Sequence, residues 1–120
     1  MTQRDDTVYL RHILDATGKI ALYLQGIEEQ VFLDNSLIQD GVIRQLEIIG
    51  EAVKRLSPRV RESDATIPWR DIAGMRDKLI HDYFGVDLEA VWSTATEEVP
   101  HFSSQITRIL QVLRSDIESA

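Results

Sequence analysis

The sequence predicts an all-α protein, an antiparallel bundle of four to five helices with its last helix kinked near Pro100. Apolar residues recur at helical spacing along nearly the whole chain, and the two-residue alternation of half-buried strands is missing. Turn-forming residues interrupt this pattern only briefly, so successive helices are joined by short links and pack antiparallel.

The first helix is expected over about Asp5 to Gln25. Tyr9, Ile13, Ala16, Ile20 and Leu24 share one face, and Gly26 supplies a stop. A short irregular or helical link, Glu28 to Asn35, follows. Asn35 or Ser36 can cap a second long helix with the stripe Ile38, Val42, Leu46, Ile49, Val53 and Leu56. Pro58 lies near its end, and the polar run from Arg61 to Thr66 reads as a surface loop. Pro68 fits the first turn of a third helix, Trp69 to Phe84, closed by Gly85. Asp87 can cap the last helix, whose stripe is Leu88, Val91, Ala95, Val99, Phe102, Ile106, Ile109 and Leu113. Pro100 falls inside that stripe and is expected to kink the helix, since the period continues beyond it. Trp69 and Trp92 read as packing residues.

A chain of 120 residues with 43% apolar and 28% charged residues fits one globular domain, 1–120. No apolar run is long enough to span a bilayer, and the opening residues lack the layout of a secretory signal; cytoplasm is the expected location. The absence of cysteine excludes disulfides and thiolate metal sites. Three scattered histidines make no metal-ligand set, and no Gly-rich phosphate loop or serine-nucleophile pattern is present, so no metal or other cofactor is expected. A net charge of −7 argues against broad electrostatic binding of nucleic acid but leaves room for a local basic cleft.

One constellation carries chemistry. Arg76-Asp77-Lys78-Leu79-Ile80-His81-Asp82-Tyr83 is an Arg-x4-His-x-Tyr pattern on the third helix. At about 100° per residue, Tyr83 returns nearly to the face of Arg76, while His81 points roughly 140° away and shares the face of Asp77. A cleft formed where two copies of this helix meet would bring Arg76 and His81 together about a two-fold axis. An imidazole can take up and return a proton near neutral pH, and a guanidinium can stabilise developing negative charge. Asp77, one turn before His81, is placed to fix that imidazole's tautomer or raise its pKa.

Each of these residues also has a plainer reading. His81 alone would be a satisfied structural histidine, Arg76 a surface ion-pair partner and Tyr83 a core aromatic with its hydroxyl at the edge. His12 and His101 lie outside the motif and are assigned no role. Asp5-Asp6, Glu28-Glu29 and Glu97-Glu98 read as solvated faces. Lys54, Arg55, Arg59 and Arg61 could guide RNA, although favourable charge at a helix C-terminus accounts for Lys54 and Arg55 equally well.

The stretch Trp69 to Asp87 resembles the signature of HepT-like proteins of the HEPN superfamily, and Leu46-Glu47-Ile48-Ile49-Gly50-Glu51-Ala52 is similar to that family's second-helix motif. The two motifs stand in the family's order, and the likeness covers nearly the whole chain. Asp77 departs from the asparagine common at that position. The resemblance implies a homodimeric ribonuclease toxin of a type VII-like toxin–antitoxin module, acting on RNA, with tRNA among the candidate targets. It implies Arg76 and His81 as the catalytic pair. It also implies a cognate minimal nucleotidyltransferase as antitoxin, which silences the toxin by adenylylating Tyr83. The alternative is a non-catalytic helical subunit that docks such a nucleotidyltransferase.

Overall fold

The computed structural model describes residues 3–81 and 85–119, and among these every regular element is helical. The long helices are α1 (Gln3–Leu24), α3 (Ser36–Lys54), α5 (Trp69–His81) and α7 (Val99–Ser119). Shorter helices lie between them: α2 (Glu29–Leu33), α4 (Pro58–Ser63) and α6 (Leu88–Ser93). The all-α bundle read from the periodicity is the observed architecture.

The core follows the predicted stripes. Leu10, Ile13, Ala16 and Ile20 of α1 meet Val42, Leu46, Ile49 and Val53 of α3, and all are essentially inaccessible. Val91, Ala95, Val99, Phe102, Ile106, Ile109 and Leu113 close the other side. Trp69 stacks edge-on against Phe102 with ring centroids 6.0 Å apart, and its indole N–H donates to the Asp64 carbonyl at 3.0 Å. Trp92 packs against the buried ring of Phe32 at 5.4 Å. Both tryptophans therefore pack as expected.

Local signals explain most boundaries. Gly26 adopts φ 71°, a left-handed conformation that costs glycine little, and the chain turns there. The Asn35 side chain accepts the Ile38 N–H at 3.0 Å, capping α3, and Asp87 caps α6 in the same way through Ala90 N–H at 3.1 Å. Pro68 precedes α5 rather than occupying its first turn, and its carbonyl accepts the Ile72 N–H.

Two expectations need correction, and a third, at Pro100, takes a specific form. The segment from Arg61 is not loop throughout: Pro58 starts a helical turn that runs to Ser63, because a proline at the first helical position sacrifices no hydrogen bond. The last helix passes Pro100 without ending, but the adjustment lies just before it, in a π-helical turn over Thr94–Glu98 where Val99 N–H reaches back to the Thr94 carbonyl. Widening the ladder there accommodates a residue with no N–H and a ring that crowds the preceding turn. Asp6 does not belong to a solvated face. It is 2% exposed, and its carboxylate accepts the Ser57 N–H at 2.8 Å and the Ser57 hydroxyl at 2.7 Å, tying the first turns of α1 to the start of α4.

A carboxylate holding two buried donors is costly to remove, since both donors would then be left without partners. Asp6→Ala is expected to lower unfolding stability by about 2 kcal/mol in urea titrations, with a smaller loss for Asp6→Asn.

Candidate active site

One face of α3 forms the floor of an open cleft. Arg44, Glu47, Ile48, Glu51, Ala52 and Arg55 recur there at helical spacing; Tyr9 and His12 of α1 stand on one side and Arg76 of α5 on the other. The cleft encloses about 740 Å³. Three arginines against two glutamates line it, a local positive excess on a chain of net charge −7.

Arg76 reaches this cleft because α5 lies unusually close to α3. A Cβ built on Gly50 would fall 2.7 Å from the Arg76 Cβ and 3.1 Å from the Ile72 carbonyl oxygen, so no larger residue fits without moving α5. The guanidinium is then fixed from two directions. Its Nε lies 2.9 Å from Glu51 Oε2, and Nη1 lies 3.1 Å from Asp77 Oδ1. The side chain remains 34% exposed, so its other N–H groups can meet a ligand.

Glu51 is the hub of the arrangement. Besides Arg76 it holds Arg55, at 3.2 Å between Oε1 and Nη2. Arg55 is kept above the ordinary arginine range first by hydrogen bonding to Tyr9 and then by Glu51. Tyr9 in turn meets His12 edge-on, with ring centroids 6.0 Å apart. Two linked sets therefore line the cleft: the Tyr9–His12 ring pair on α1, and the ion pairs that join Arg55, Glu51 and Arg76 across α3 and α5.

Asp77 is engaged chiefly by Lys54, whose ammonium donates to both carboxylate oxygens at 2.8 and 2.9 Å. That hydrogen bonding is the largest cause holding its carboxyl below the usual range; desolvation opposes it, and the charges of Lys54 and Arg76 add to the lowering. The His81 side chain and Tyr83 lie outside the described residues, and with them the expected Asp77–His81 contact and the expected modification of Tyr83.

The basic cluster at the end of α3 has intramolecular partners. Lys54 pairs with Asp77, Arg55 with Glu51 and Arg59 with Asp116, while Arg61 donates to the carbonyls of Val53 and Lys54 at 2.9 Å each. Arg61 therefore satisfies the exposed end of a helix. Of the two histidines left without a role, His101 lines a separate, mainly apolar cavity among α3, α5 and α7, whereas His12 shares the cleft with Arg76. His12 and Tyr9 line the cleft although the linear reading gave neither a place there. Their only signal is an aromatic pair three residues apart, which any exposed helix face could carry.

Comparison with known proteins decides the family. A model of the family described as "Ribonuclease HepT-like" matches residues 13–109. The chain belongs to the HepT-like family. The probable ribonuclease HepT of Thermococcus cleftensis is 39% identical over 107 residues, which cover 89% of this chain and 97% of that protein. A candidate RNase of Caldanaerobacter subterraneus is 44% identical over 103 residues, covering 86% of this chain and 92% of the relative. A candidate RNase of Methanocaldococcus jannaschii is 39% identical over all 120 residues and 99% of its own length. No solved structure matches significantly. As in the sequence reading, this HepT-like chain is a helical member of the HEPN superfamily, and no helix among its described residues is long and apolar enough to cross a membrane.

Two outcomes follow from this geometry. Gly50→Ala forces the roots of two helices apart, and is expected to cost about 1–3 kcal/mol in chemical denaturation, as overpacking does. Because the Asp77 carboxyl is depressed in the fold, its stabilising effect is present above the ordinary carboxylate pKa and is lost as pH falls through the lower folded value. An NMR titration should place its midpoint below about 3.9, and Lys54→Met should move it back toward that value.

Proposed function

We propose that this chain is a metal-independent ribonuclease, the toxin of a type VII-like toxin–antitoxin module, with Arg76 and His81 as its catalytic pair. The observation that carries this reading is the anchored guanidinium of Arg76 in an arginine-lined cleft of an otherwise acidic HepT-like protein. Its relatives' names point to RNA as the substrate class.

In the proposed reaction the ribose 2′-oxygen attacks the adjacent phosphorus and the bond from phosphorus to the 5′-oxygen breaks. A base removes the 2′-hydroxyl proton, and an acid returns a proton to the leaving oxygen. The products are a 2′,3′-cyclic phosphate and a free 5′-hydroxyl. The His81 imidazole serves proton transfer, and Arg76 stabilises charge on the pentacoordinate phosphate. Holding Nε and Nη1 with carboxylates orients the guanidinium before substrate arrives, so little reorganisation remains for the reaction step. Glu51 is a positioning residue here. It also opposes RNA binding, since a phosphate approaching Arg76 meets its negative charge.

The active form in this reading is a homodimer, in which two copies of α5 contribute Arg76 and His81 to one groove. A cognate nucleotidyltransferase silences it by adenylylating Tyr83, which adds bulk and a phosphate charge beside that groove.

Cleavage of a broad RNA pool in excess EDTA tests the proposal, using protein whose mass excludes modification of Tyr83. Wild type should cut, and Arg76→Ala and His81→Ala should each lose about 10²-fold or more. Failure of unmodified wild type to cut would replace the ribonuclease by the docking-subunit alternative. Glu51→Gln should lower kcat by about ten-fold or more without raising KM, the split that separates positioning from general destabilisation.

A further inference from the structure

The α1 wall of the cleft has features that cleavage by Arg76 and His81 does not use. Tyr9 and His12 form an edge-to-face pair, and the His12 ring is exposed. A lone exposed histidine on a helix needs no explanation. This one shares a cleft with Arg44, Arg55 and Arg76, and its ring meets that of Tyr9. Aromatic rings interleaved with guanidinium groups are the combination that holds single-stranded nucleic acid: the rings stack on bases and the cations meet the phosphates.

We propose that Tyr9 and His12 form a base-stacking subsite, which holds a nucleotide of single-stranded RNA next to the phosphate engaged by Arg76. Tyr9 fixes the orientation of His12 through the edge contact, and His12 offers the stacking surface. Arg55, on the floor below Tyr9, is placed for the phosphate of the stacked nucleotide once RNA displaces part of its contact with Glu51. Stacking is tolerant of base identity, so the subsite selects single strands over duplex rather than one sequence over another. This inference rests on the ribonuclease reading for the identity of its ligand, but not on which groups transfer protons.

The test measures binding of a fluorescent mixed-sequence single-stranded oligoribonucleotide in a His81→Ala background, alongside cleavage kinetics in the otherwise wild-type chain. His12→Ala should weaken binding on the order of ten-fold and raise KM, leaving kcat largely unchanged. His12→Phe, which keeps a stacking ring and removes the titratable nitrogens, should restore most of the loss. Binding to a blunt duplex should respond little to either change. Cleavage by wild type together with unaltered binding in His12→Ala would overturn the subsite and leave the ribonuclease reading intact. A fall in kcat that His12→Phe fails to rescue, with a changed pH–rate profile, would also overturn stacking and make His12 a proton-transfer group. Binding of RNA that depends on the His12 ring, in a protein that cleaves nothing, would sustain the subsite while removing the ribonuclease reading. Failure to bind any RNA would remove both.

Discussion

The close approach of α5 to α3 at Gly50 is the constraint on which the cleft depends. Without a side chain at that position, the backbone of α5 comes near enough for Arg76 to reach Glu51 and for Asp77 to reach Lys54. Neither ion pair would be notable alone, because half-exposed pairs contribute little to stability. Their effect is directional. They orient one guanidinium at the edge of an open cleft, and orientation is what electrostatic catalysis requires of an arginine.

Charge distribution in the molecule follows from the same packing. An acidic chain is a poor polyanion binder overall, yet the helix face exposed between α1 and α5 gathers Arg44 and Arg55 beside Arg76. Lys54 and Arg59 pair with Asp77 and Asp116, and Arg61 donates to helix carbonyls, while in the cleft Arg55 and Arg76 share the single carboxylate of Glu51. The cleft thus gathers three guanidinium groups in one place, where an incoming phosphate can meet them together.

Most of the fold was legible in the sequence because long amphipathic helices write their buried face at regular spacing. The stripes of α3 and α7 coincide with the observed core almost residue for residue. What escaped was tertiary in origin. Asp6 looked like one of many surface acids because nothing local marks its partner, Ser57, which is distant in the chain. The turn at Pro58 was too short to show a period. The π-helical turn before Pro100 relieves a local steric conflict in a place that periodicity does not fix. At the site, Arg76 stood out through its motif, whereas Glu51, Tyr9 and His12 joined it only because three helices turn particular faces toward one another. Glu51 lay within a motif that had been noticed, but its role needed the distance to Arg76.

The buried contact between Asp6 and Ser57 has a consequence for how that cleft can adapt. Tyr9 follows Asp6 by one turn, and Arg55 precedes Ser57 by two residues, so the hydrogen bonds act as a register pin between the wall and the floor. Sliding α1 along α3 would break two buried hydrogen bonds at once. Ligands of different shape must therefore be met by rotation of exposed side chains, and the spacing along the groove between the aromatic pair and Arg55 behaves as a fixed ruler.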